Sequence, residues 1–306
     1  MNAVEACRLT KTYRTTRALD EATFTVPQGQ VVGFLGPNGA GKTTTLRILL
    51  GLARATSGSI RVFGEDAARA GNTVRTRIGY LPDVPGFPEW MTAEQLLRFA
   101  GSLFGLSGAV LSARVDSLLA LAGLTGVSHP IGGFSRGMKQ RLGIAQALVN
   151  APSLLVLDEP TSALDPLGRK DVLSMVEALR GKATVVFSTH LLDDVERVCD
   201  SVVVVDRGRV LTSDTVAGLR SRYGGSQQVR VSVDDPAALL DAVAGEAWLV
   251  AAERDGAAVV LTVTDVAVAN RTVPALLERS GCALVSYGPE QVRLEDAFVR
   301  LTQEDR

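Results

Sequence analysis

Eight consecutive residues constrain this chain more than any others. Gly36-Pro37-Asn38-Gly39-Ala40-Gly41-Lys42-Thr43 fits the spacing G-x-x-x-x-G-K-[ST], the form of a phosphate-binding loop. The apolar run before it, Gln30–Leu35, suits a buried strand, and the stretch after it, Thr43–Leu50, suits a helix. Glycines let successive backbone N–H groups turn inward as an anion nest, and the helix start adds the positive end of its dipole. Lys42 supplies a point charge for the β- and γ-phosphates. The Thr43 hydroxyl is placed to ligate Mg2+, with Thr44 beside it in the first turn.

The rest of the chain offers partners for such a loop. Ser153–Pro160 is a hydrophobic strand ending in Asp158 and Glu159. Successive strand residues point to opposite faces, so these two carboxylates take different roles unless the chain bends: Asp158 on a metal ion, Glu159 on an attacking water. Ser162–Asp165 forms a tight turn ahead of an amphipathic helix, Leu167–Arg180, and Ala183–Ser188 is a buried strand running into Thr189-His190. A histidine at the end of a core strand stands where open α/β sheets hold ligands. Gly132–Gln140 is a second Gly-rich turn entering a helix, with helix N-terminal N–H groups, the Ser135 hydroxyl and nearby cationic side chains to suit an anion. One nucleotide rarely needs two such cradles in one domain, which hints at a nucleotide shared between two copies of the chain. Tyr13, on a loop between the first two strands, either stacks on a nucleobase or covers the sheet edge.

At 306 residues the chain exceeds one typical domain. The reading is a first domain over 1–222, carrying a helical insert at about 84–150, then a linker at Gly224-Gly225-Ser226 and a second domain over 227–306. The insert opens with a Pro-rich loop, Val84–Trp90, followed by a capping box at Thr92 and Gln95. Phe87 and Trp90 either form an exposed docking patch or seal the insert's own small core. The tail predicts β-α-β-β-α-β, a ferredoxin-like order, closed by a strand and helix over Gln291–Leu301. Net charge is −1, from 32 basic and 33 acidic residues, and gives no nucleic-acid footprint. No apolar run approaches the roughly 18 residues a membrane span needs, and the N-terminus lacks a secretory signal, so direct membrane insertion is not expected. Cys7, Cys199 and Cys282 show no metal spacing and read as buried thiols.

In this order the motifs resemble the ATP-binding cassette (ABC) ATPases over about residues 3–220. The phosphate loop is similar to Walker A and Leu154–Glu159 to Walker B with its catalytic glutamate. Phe134-Ser135-Arg136-Gly137-Met138 resembles the family signature, Leu-Ser-Gly-Gly-Gln, keeping Ser135 and Gly137. Ser162–Asp165 is similar to the D-loop, His190 to the switch histidine, Tyr13 to the base-stacking aromatic, and Asp83 stands where a Q-loop glutamine is usual. The resemblance implies a P-loop α/β core with an antiparallel β subdomain and helical insert, plus a small α+β C-terminal domain. It implies ATP and Mg2+ as cofactors, with Thr43, Asp83 and Asp158 toward the metal. Lys42, Glu159 and His190 would be catalytic, and Tyr13, the loop Gly36–Thr44, Ser135, Gly137 and Asp165 would bind nucleotide. It further implies a homodimer around two ATP, a separate membrane-spanning permease subunit, and a peripheral place on the cytoplasmic face of the membrane. Details such as Asp83 and Leu294–Phe298 resemble ATPase subunits of bacterial drug or antibiotic exporters. A soluble relative acting on ribosomes or DNA, or an importer subunit, is the alternative.

Overall fold

A computed structural model describes residues 1–69, 71–162, 164–223 and 227–289, together with Glu295, Phe298 and Leu301. The expected linker at 224–226 and most of the closing segment at 291–301 lie outside the described residues. Contacts divide the chain into two compact units, Met1–Val216 and the described residues from Ala217 onward.

The first unit begins with a long hairpin, β1 (Asn2–Tyr13) and β2 (Thr16–Pro27). Its ladder runs to the pair Tyr13↔Thr16. Tyr13 therefore ends a strand, where a loop was expected: Lys11, Thr12 and Tyr13 continue the pairing, to Leu19, Arg17 and Thr16, although the register there is irregular. Next come β3 (Val31–Leu35), the Gly-rich loop and α1 (Lys42–Leu49). Then β4 (Ser57–Val62), the short β5 (Glu65–Asp66), α2 (Asn72–Arg75) and β6 (Ile78–Leu81) lead into the helical insert. There Thr92 and Gln95 form the expected reciprocal cap of α3 (Ala93–Leu103). After α4 (Gly108–Leu121) and α5 (Arg136–Ala147) the chain alternates β7 (Leu154–Asp158), α6 (Pro166–Glu177), β8 (Thr184–Thr189), α7 (Leu192–Val198) and β9 (Ser201–Asp206), ending with β10 (Arg209–Thr215); α8 (Val216–Tyr223) starts at the unit boundary and falls, from Ala217, in the second unit.

These strands make two sheets. One is antiparallel, in the order β2-β1-β4-β5; the other runs β10-β9-β3-β8-β7-β6, parallel except for the β10 edge. Central strands such as β3 and β7 are buried at every position, as parallel strands covered on both faces require. Parallel direction puts the carboxyl ends of β3, β6, β7, β8 and β9 on one edge of the sheet. Asp83, Glu159, His190 and the phosphate loop all follow those ends, where ligands bind in open α/β sheets.

The aromatic pair of the insert divides. Trp90 is 73% exposed. Phe87 is partly buried, with its ring toward Gly143 of α5 in a 310 Å³ recess shared with Leu103 and Phe104. The cysteines divide too: Cys199 is buried, Cys282 is partly buried, and Cys7 is exposed on an outward position of β1, against the expectation of buried thiols.

The second unit holds β11 (Gln227–Val233), α9 (Pro236–Val243), β12 (Leu249–Asp255), β13 (Ala258–Val263), α10 (Val266–Ser280) and β14 (Leu284–Pro289). Its sheet is antiparallel throughout, in the order β12-β13-β11-β14. Alternating residues Val229, Val231, Val233, Val259, Leu261 and Val263 pack against Leu239, Val273 and Leu276 of the helices.

Candidate active site

The loop after β3 is held from three sides. The Gly36 N–H donates to the Thr189 carbonyl at 3.3 Å, and the Gly208 N–H donates to the Ala40 carbonyl at 3.0 Å. Gly41, with φ +103, caps α1; a Cβ there would stand 2.6 Å from the Ala18 carbonyl oxygen. A Cβ on Gly36 would stand 2.1 Å from the Val205 carbonyl oxygen. Glycine is needed at both places, at one for its backbone angle and at both for room. The loop bounds a cleft of about 250 Å³, lined by Asn38, Gly39, Gly41, Lys42, Thr43 and Thr44 with Ala18, Asp83 and Glu159.

Lys42 is 5% exposed, and its Nζ reaches the Gly36 carbonyl (2.6 Å), the Pro37 carbonyl (3.1 Å) and Glu159 Oε1 (3.1 Å). Glu159 Oε2 meets His190 Nδ1 at 2.9 Å. Lys42, Glu159 and His190, distant in sequence, thus form one chain of contacts. The backbone turns sharply just after Asp158: Glu159 has φ +47. That left-handed backbone is pinned by its N–H donating to the Ser188 carbonyl (3.2 Å) and Ser188 Oγ (2.9 Å). Asp158 Oδ1 accepts from Ser188 Oγ at 2.7 Å and Thr43 Oγ1 at 3.2 Å. Burial pushes the Asp158 carboxyl above its usual range. The two hydroxyls pull it down, and Glu159 and Asp83 push it further up. Asp83 is exposed at the cleft rim, and its backbone carbonyl accepts from Gln140 Nε2 at 3.4 Å.

Four expected nucleotide-binding residues from outside the loop do not line this cleft. Ser135 caps α5, its Oγ accepting the Met138 N–H at 3.2 Å, and it is exposed. Gly137 lies in the first turn of that helix, where a Cβ would stand 3.7 Å from Gly168 Cα. Asp165 caps α6 by accepting the Gly168 N–H at 3.1 Å. Tyr13 is 43% exposed, with Lys11 Nζ 4.6 Å from its ring centre. Ser188 was not among the expected site residues. Its signal was present: it is a hydroxyl in the otherwise apolar run Val185–Phe187, and parallel pairing sets it directly beside Asp158.

A Gly-rich loop at a helix start, a nearly buried lysine and a buried acid at the end of a parallel strand describe a nucleotide site, and comparison with known proteins specifies the family. The family described as ABC transporter matches residues 19–162. A solved structure titled "Structure of ATP binding subunit of ABC transporter" is 35% identical, with a TM-score of 0.66, over 72% of this chain and 93% of that one. The uncharacterized ABC transporter ATP-binding protein YxlF of Bacillus subtilis (strain 168) is 49% identical over 66% of this chain and 67% of its own. The chain belongs to the ABC transporter ATP-binding proteins. The daunorubicin resistance ATP-binding protein DrrA2 of Streptomyces coeruleorubidus is 37% identical over 98% of this chain and 95% of its own, a match that includes the second unit. As an ABC ATPase, the chain binds ATP and serves as a subunit of a transporter. Among the described residues no helix is long and apolar enough to cross a membrane.

Proposed function

We propose that this ABC ATPase drives export of drug-like or antibiotic molecules, working as a head-to-tail pair that encloses two ATP beneath a separate permease on the cytoplasmic face of the membrane. The observation that carries the pairing is the contrast between its two Gly-rich turns. One lines a cleft around a nearly buried lysine; the other leaves Ser135 exposed and outside that cleft's lining. A second copy turned the opposite way would set Ser135 and Gly137 against the first copy's phosphates. Export is supported by the full-length likeness to a drug-resistance ATPase.

In this reading Lys42 releases Glu159 and takes the β- and γ-phosphates, the backbone N–H groups of Gly39–Thr43 cradle the anion, and Tyr13 stacks on the base. Thr43 and Asp158, already joined through a hydroxyl–carboxylate bond, offer the hard oxygen donors that suit Mg2+, with Asp83 at the rim. When bound, the ion would neutralise phosphate charge. Glu159 polarises the attacking water, His190 holds Glu159 and the γ-phosphate, and Asp165 completes the far wall. The Asp83–Trp90 loop, with Trp90 exposed, is the surface offered to the permease. Residues 1–222 serve as the ATPase domain and 227–306 as a ferredoxin-like accessory domain, a reading supported by the β12-β13-β11-β14 order.

The test is Glu159→Gln. ATP should still bind, turnover should fall roughly 100-fold or more, and sedimentation should show a dimer only with ATP. Native turnover, or a monomer at saturating ATP, would contradict the proposal.

A further inference from the structure

Asp194 is 0% exposed and does not touch the nucleotide cleft, yet its two oxygens are both engaged. Oδ2 accepts from Thr161 Oγ1 at 2.6 Å, and Oδ1 receives Arg169 Nε at 2.5 Å. A buried carboxylate carries a large desolvation cost, so such a group persists where its partners satisfy it fully. The placement of those partners matters. Thr161 lies two residues after Glu159, Asp194 four residues after His190, and Arg169 in the first turns of α6. The segments 159–161 and 190–194 are therefore joined by two rungs: Glu159 to His190 at 2.9 Å, and Thr161 to Asp194 at 2.6 Å. Arg169 braces the second rung from a third element, with Asp193 3.7 Å from its other nitrogen.

We propose that Asp194 is a positioning residue for hydrolysis: through Thr161 and Arg169 it fixes the spacing of the two segments whose other rung is the Glu159–His190 pair. The mechanical need is evident at Glu159, whose left-handed backbone holds only while its surroundings over-determine it. Ser188 secures the strand side of Glu159, and the Thr161–Asp194 bond secures the side beyond it. If the second rung is lost, the Glu159 carboxylate and the imidazole can drift apart by a fraction of an ångström or more. Misplacement of about 1 Å costs on the order of 100-fold in rate. The phosphate loop is held by other bonds, Gly36 to Thr189 and Ala40 to Gly208, and Lys42 is also held by the Gly36 and Pro37 carbonyls, so nucleotide affinity should not follow this rung.

This inference rests on Glu159 as the water-polarising group, and the experiment separates the two. Full-length Asp194→Asn, Asp194→Ala and Thr161→Val are assayed for ATP binding, steady-state turnover and melting, each also in the Glu159→Gln background. Asp194→Asn should lower kcat roughly tenfold and Asp194→Ala roughly 100-fold, with ATP affinity within about twofold of native. Thr161→Val, which removes one hydroxyl and leaves the Arg169 pair, covers the case in which Asp194→Ala does not fold; it should lower kcat roughly threefold to tenfold. In the Glu159→Gln background the same substitutions should leave the residual rate unchanged, because groups that act as a unit are non-additive. Equal fold-losses in both backgrounds, or a loss of affinity matching the loss of kcat, would overturn the positioning role. An inactive Glu159→Gln beside a fully active Asp194→Asn and Thr161→Val overturns it alone; a fully active Glu159→Gln overturns it together with the assignment of Glu159.

Discussion

The two Gly-rich turns of the first unit look alike in sequence and differ in what surrounds them. At Gly36–Thr43 the backbone is packed against Ala18, Val205 and Gly208, Lys42 is nearly buried, and the cleft contains a lysine, two threonines and two acids that follow three strand ends. At Gly132–Gly137 the turn enters α5 with a side-chain cap from Ser135 that α1 lacks, but Ser135 is exposed. Both are helix N-termini with backbone N–H groups to offer. Only the first is a finished pocket. What separates them is the surroundings, and the surroundings come from the parallel sheet, which brings the ends of β3, β7 and β8 together.

The largest expected effect sharpens this contrast. Lys42→Ala should weaken ATP binding roughly 100-fold or more, measured by titration at protein concentrations too dilute for pairing, because a nearly buried cation is lost from the phosphates. Ser135→Ala should leave that dilute affinity unchanged and lower turnover at high protein concentration by roughly tenfold, the worth of one bond to a charged group. Equal losses of dilute affinity in both would break the comparison.

Glycine substitutions give the next test. At Gly41 an added methyl meets the Ala18 carbonyl and Leu19, and the backbone there sits at φ +103, which a residue with a Cβ rarely adopts. Gly41→Ala should therefore cost about 3 kcal/mol in chemical denaturation. Gly137→Ala meets only ordinary contacts. Being helical, it should be neutral or stabilising by up to about 1 kcal/mol, yet it should slow turnover where a partner's phosphate must approach the backbone.

Asp158 makes a prediction in pH. Burial raises its carboxyl in the folded chain, so the folded state holds that proton more tightly than the unfolded chain does. The fold is therefore favoured below the ordinary carboxylate range and loses that advantage as pH rises through the raised folded value. Asp158→Asn, whose Oδ1 can still accept from Ser188 and Thr43, should melt higher than the native chain at neutral pH without nucleotide, with the gap closing as pH falls. A lower melting temperature at neutral pH would contradict the assigned cause.

The smallest effects concern the insert. Phe87→Ala should cost about 1–2 kcal/mol because the ring fills part of a recess, and Trp90→Ala should lie within about 0.5 kcal/mol. Coupled transport, not soluble turnover, is where Trp90→Asp should register.

Much of this site could be read before any coordinates. The loop spacing, the acid pair at the end of β7 and the histidine just after β8 are local patterns, and the separate roles of Asp158 and Glu159 were argued from strand alternation alone. Ser188, Thr161, Arg169 and Asp194 were not legible in that way, since their roles depend on which strands pair and how the following helices return. Tyr13 and Phe87 show the same limit: an aromatic's burial depends on neighbours far away in the chain. The second unit's element order was legible because its apolar alternation is regular, whereas its strand order required long-range pairing.

The central claim is that each nucleotide is held by the Lys42 loop of one copy and the Ser135 turn of another. A crystal structure of Glu159→Gln with bound ATP and Mg2+ tests it most directly. The account predicts Ser135 Oγ of one chain within hydrogen-bonding distance of the γ-phosphate held by Lys42 of the second chain. Ser135 facing bulk solvent, distant from every triphosphate, would contradict it.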